Sequence, residues 1–162
     1  MKIVDKHDTE TVEKIIAIGY PENKEYLEEL LSWTADPNWP VAMVIYEYLI
    51  ELGDEIAIHI INLAHQVDND WKSWLLSLLI HRYDANKLEQ VRSWLKIWAS
   101  SPGSEGCDIQ ALEILAEQKA IPEEEIIKIA RKNLFYYNGK VRDTYNILEK
   151  ALNGKTFGEY TL

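Results

Sequence analysis

The chain has 162 residues, one cysteine and a net charge of −10, which gives length for one domain with a real core but no means of making an internal disulfide or a CxxC metal or redox site. Residues 1–70 carry fifteen acidic against four basic side chains, whereas residues 71–162 come to +1, an imbalance that repels a phosphate backbone and favours a basic protein partner or simple solubility. No apolar run approaches the ~18 residues of a membrane helix and no leader-like segment follows Met1, so the chain reads as cytoplasmic, with neither a membrane nor a nucleic-acid partner.

Helix signals recur along the whole length. Asp8-Thr9 cap a first helix with Val12, Ile15 and Ile16 on one face, closed by Gly19 and Tyr20-Pro21. A second carries Tyr26, Leu27, Leu30, Leu31 and Trp33 and ends before Asp36-Pro37. The third has Pro40 in its first turn, where a missing N–H costs nothing, and Val41, Val44, Ile45, Tyr48, Leu49 and Leu52 on one side up to Gly53. Asp54 caps a fourth, with Ile56, Ile60, Ile61 and Ala64. The turn Asp68 to Asp70 opens a fifth, bearing Trp71, Trp74, Leu75, Leu78 and Leu79. After a short turn at residues 82–86, a sixth presents Leu88, Val91, Trp94, Leu95 and Trp98 and stops at Ser100-Ser101-Pro102-Gly103, the longest loop signal. Residues 108–118 form a seventh through Ile109, Leu112 and Leu115. Pro122 opens an eighth with Ile126, Ile127, Ala130 and Leu134, and Val141, Tyr145, Leu148 and Leu152 mark a separate terminal helix.

Two segments repeat in kind. Asp36-Pro37-Asn38-Trp39-Pro40 and Asp68-Asn69-Asp70-Trp71 each set a tryptophan at the entry to a helix, 32 residues apart. Hairpins then start near residues 8, 38, 70 and 107, with a lone helix near 140, so residues 1–162 are expected to form one all-α domain. The expected fold is an array of HEAT-like antiparallel hairpin repeats, a right-handed α-α superhelix of about eight or nine helices, with an irregular bundle as the competing arrangement. Trp39, Pro40, Trp71 and Trp74 are assigned to structure, the two turn tryptophans sealing the joint between successive hairpins.

From Lys6-His7-Asp8-Thr9-Glu10-Thr11-Val12-Glu13 through Leu30-Leu31-Ser32-Trp33, Asn38-Trp39-Pro40-Val41-Ala42 and Asp70-Trp71-Lys72-Ser73-Trp74 to Leu79-Ile80, the chain resembles a largely bacterial family catalogued as domain-of-unknown-function family five thousand and seventy-one. The resemblance spans roughly residues 4–118 and leaves 119–162 as a C-terminal helical extension. It implies an all-helical repeat fold and transfers no activity and no site residue.

No catalytic constellation stands out. His59 and His65 are six apart, about 240° around a helix, which is wrong for joint metal ligation. His7 and His81 fall at helix edges and read as exposed. Cys107 at a helix start reads as a small packing residue, with a nucleophile as the lesser reading. Glu123-Glu124-Glu125 suit the positive end of a helix dipole, and the glycines are scattered, with no phosphate loop. No metal and no cofactor are therefore expected. In hairpin arrays the second helix of each pair lines the concave face, which makes Glu25, Glu28 and Glu29, then Glu55, His59, Asn62 and Gln66, then Glu89, Arg92 and Lys96 the candidate binding residues. The function expected is a non-enzymatic protein-interaction module with an acidic surface for a basic protein. An immunity-type protein neutralising a toxin domain, and an enzyme with an unrecognised site, are the alternatives.

Overall fold

A computed structural model describes residues 1–152, the Asp54 side chain excepted, so the expected Asp54 cap lies outside the described residues. Among them there are eight α-helices and no strand: α1 (Thr9–Ile18), α2 (Leu27–Ser32), α3 (Pro40–Leu52), α4 (Ala57–Ala64), α5 (Asn69–Trp74), α6 (Ala85–Ala99), α7 (Cys107–Glu117) and α8 (Glu123–Ala151). The fold is all-α, as the periodicity requires.

The helix starts follow their capping chemistry. Asp8 accepts from the Thr11 amide, Asp68 from the Trp71 amide, and Asp84 from the amides of Asn86 and Lys87, each satisfying donors that a first turn leaves without helical partners. Trp39 stands in extended backbone just before Pro40, the first residue of α3. Asp36 holds that entry, its carboxylate accepting from the Asn38 amide at 2.9 Å.

Packing runs in two rows. In one, α1 lies on α3, α3 on a π-helical turn at Leu75–Leu79 that continues α5, and that turn on α7; in the other, α2 lies on α4 and α4 on α6. The core between them is filled by Ile15, Leu30, Ile45, Leu49, Ile60, Leu75, Leu79, Val91 and Leu95, each fully buried. Helix α7 then packs along α6, and α8 along α7.

Three local expectations change. Helix α5 ends after six residues and the wider π turn re-aims the side chains beyond it, so Leu75, Leu76 and Leu79 are buried while Trp74 is 39% exposed. Ile109 is exposed, because α7 turns Cys107, Asp108, Ala111, Ile114 and Leu115 inward. The eighth and terminal helices are one continuous α8 of 29 residues. The break expected between Leu134 and Val141 does not occur: Gly139 keeps a helical backbone rather than a positive φ, and a lone helical glycine costs only ~1 kcal/mol.

Candidate functional site

The turn joining α2 to α3 is held by a neutral knot. Thr34 is fully buried; its hydroxyl donates to the Leu31 carbonyl at 2.7 Å and accepts from the Trp71 indole N–H at 3.0 Å, and its carbonyl accepts from the Tyr46 hydroxyl at 3.0 Å. Burial drives the Tyr46 pKa far above the ordinary tyrosine value. Trp71 thus ties α5 to the end of α2. Trp39 instead stacks edge-on against Trp33 with ring centroids 5.4 Å apart, and is half-buried rather than enclosed.

Beside that knot α2 packs against α4 and leaves a groove of about 460 Å³ between them, lined by Glu28 and Leu31 on one side and by His59, Asn62, Leu63, His65 and Gln66 on the other. Leu31 is buried and Leu63 half-buried, so they make an apolar floor, while Glu28, Asn62, His65 and Gln66 stand exposed at the rim. Gln66 donates its side-chain amide to the Asn62 carbonyl at 3.1 Å, closing the far end. His65, the C-cap of α4, also lines the groove, although it stands about 120° round the helix from His59. Among the described residues no group of three His, Cys, Asp or Glu could share a metal ion. A carboxylate, two imidazoles and two amides over a leucine floor can accept and donate hydrogen bonds to a polar chain and take an aliphatic stem beneath it.

The other candidates fall elsewhere. Glu29 is committed to structure, its carboxylate accepting from the amide of Ile3 at 2.8 Å, and Ile3 is itself buried. Glu25 is exposed beside the Tyr26 hydroxyl, whose pKa it raises. Glu55 is exposed at the entry to α4, outside the groove lining. On α6, Glu89 and Arg92 are paired with each other and Lys96 with Glu125 at 2.7 Å. Internal partners therefore answer the α6 cations, and of the ten candidates only Glu28, His59, Asn62 and Gln66 line the groove, with Glu25 and Glu55 exposed outside it.

A second polar cluster escaped sequence reading. Asp108 is completely buried at the start of α7; its carboxylate accepts from the Tyr137 hydroxyl at 2.9 Å, the Asn133 amide at 3.3 Å and the Ser104 hydroxyl at 3.2 Å. Asn133 also donates to the Ala99 carbonyl at 2.8 Å. Burial, the first cause, raises the Tyr137 pKa, so the phenol stays a donor. The cluster resembles acid-base machinery in composition, but Asp108 and Asn133 are both buried and lie away from the groove between α2 and α4; it fastens α8 to the body. Only position announced it: an acid in a first turn reads as a dipole partner, and nothing local shows that Tyr137 arrives 29 residues later. Neighbouring Cys107 is buried, its thiol donating to the Asn69 carbonyl at 3.3 Å, and burial lifts its pKa away from the thiolate. Of the edge histidines, His7 and His81 are exposed, and His81 lies 2.7 Å from Glu117.

The fold and groove define an all-α protein with an open, polar-rimmed cleft. Residues 3–119 match the model of a family described as Domain of unknown function (DUF5071), and the chain belongs to that family. The match ends just before α8, so the groove lies within the family body and α8 outside it. No curated protein matches the chain, and no solved structure does.

Proposed function

We propose that the protein is a non-enzymatic interaction module that receives a basic segment of another protein in the groove between α2 and α4. In this reading α2, α4 and α6 form the inner row of a hairpin array, and the groove is the working part of that row. The observation that carries it is the placement of Glu28, from one helix, against His59, Asn62 and Gln66, from the next, over Leu31 and Leu63, in the half of the chain whose net charge is −11. A lysine or arginine would lay its stem on the leucines and its head group at the Glu28 rim. The open rim suits an extended segment better than a substrate that must be shut away from water.

Glu25→Gln with Glu28→Gln tests the reading, because it removes two exposed charges and leaves Glu29 on the Ile3 amide. Folding is retained, and kon toward the basic partner captured from the native host falls, by more at low than at high ionic strength. Unchanged kon, or partners that are all acidic, contradicts the reading.

A further inference from the structure

Three ionisable side chains line the groove between α2 and α4: Glu28 from the first helix, His59 from the second and His65 at its end. None of the three has a hydrogen-bond or ion-pair partner among the described residues. From Ala57 to His65 the two imidazoles are the only ionisable side chains. The remaining histidines, His7 and His81, lie outside the lining, and His81 is already beside Glu117.

The charged groups on the elements packed against α4 do not compete for this role. On α2, Glu29 is held by the Ile3 amide; in the turns before α2 and α4, Lys24, Glu25 and Glu55 are exposed outside the lining. On α6, Glu89 pairs with Arg92 and Lys96 with Glu125, while the Lys87 ammonium donates to the Ile50 carbonyl. Histidine is the side chain whose charge changes between about pH 5 and 8; carboxylates as a class ionise below that window, and lysine and arginine lose their charge only above it. Across it the lining therefore passes from one carboxylate alone to one carboxylate against two imidazoliums, and its sign reverses. Protonation also removes the ring nitrogen that accepts a hydrogen bond from a guanidinium or ammonium.

We propose, resting on the groove's role as the seat of a basic segment, that His59 and His65 are a proton switch on that site: while they are neutral the Glu28 carboxylate attracts the cationic head group, and when both are protonated the lining repels it and the segment leaves.

Fluorescence polarisation with dye-labelled hexa-arginine tests this, because the probe keeps its own charge throughout the window. At about pH 7.5 the probe binds and Glu28→Gln weakens it. At about pH 5.5 the wild-type affinity is about tenfold lower. His59→Gln with His65→Gln, its folding checked by circular dichroism, loses most of that difference, whereas His7→Gln with His81→Gln keeps it. A second measurement needs no variant: by reciprocity, saturating probe lowers the pH at which the His59 and His65 rings titrate by NMR and leaves His7 and His81 unmoved. No binding at about pH 7.5, or binding that moves no groove amide and ignores Glu28→Gln, overturns the docking role and the switch with it. Groove binding that is as tight at about pH 5.5, a pH dependence that survives in the His59–His65 double variant, or ring titrations indifferent to the probe overturn the switch alone.

Discussion

At one joint of the molecule the α2–α3 turn meets α5 through neutral groups, Trp71 and Tyr46 both bonding to Thr34; at the other, α7 meets α8 through a buried carboxylate, Asp108, held by Tyr137, Asn133 and Ser104. The first joint anchors the end of the α2 wall of the groove and the second anchors the extension. A neutral joint asks for one hydrogen bond per polar atom, whereas a buried charge must be answered by several donors at once. The two halves can therefore be loosened separately.

The strongest blow to the first joint is Tyr46→Ala, which empties a fully buried aromatic site and should cost about 3–5 kcal/mol in urea unfolding. Tyr46→Phe, which loses only the bond to the Thr34 carbonyl, should cost about 1 kcal/mol. Equal costs would mean that the ring contributes nothing through packing.

At the second joint, Asp108→Ala should cost about 1–3 kcal/mol by stranding the Tyr137 hydroxyl and the Asn133 amide, and Asp108→Asn less, since its oxygen still accepts. The loss should appear as faster amide exchange in α8 with α1 to α4 protected as before. Uniform loss of protection would abolish the distinction between the joints. Trp39→Ala falls in the same range, about 2 kcal/mol, because the ring is half-buried against Trp33.

Alkaline titration sharpens the comparison further. The pKa values of Tyr46, Tyr48 and Tyr137 are all raised, with burial the first cause in each. A raised folded pKa contributes stability that is complete below the unfolded value of about 10 and is lost as pH climbs above it, by up to about 1.4 kcal/mol per pH unit for each group that stays protonated. Stability should thus be level from pH 7 to 9 and fall beyond 10, less steeply in Tyr46→Phe. An identical slope in that variant would remove Tyr46 from the account.

Much of the fold is legible in the residues themselves. The cap acids, Pro40 at the start of α3 and the apolar stripes place the helices of the body to within a few residues. Where the reading slips, the cause is context: the π turn after α5 turns Trp74 outward, and α8 runs on through Gly139 because that glycine keeps a helical backbone instead of turning to a positive φ as Gly53 does. The groove was half legible. Helix order brings Glu28 to His59, Asn62 and Gln66, but sequence carries no sign that Glu29 is spent on Ile3, that Glu125 answers Lys96, or that His65 joins the lining from beyond the helix end.

The smallest effect on stability belongs to the groove charges: Glu25→Gln with Glu28→Gln should change unfolding free energy by less than about 0.5 kcal/mol. The most direct test of the groove is an amide chemical-shift titration of wild type and Asp108→Ala with the captured basic partner. The account predicts perturbations concentrated at Glu28, Leu31, His59, Asn62, Leu63 and Gln66, with the same map in both proteins. Perturbations confined to α6 or α8, or a groove map that vanishes when Asp108 is removed, would contradict it.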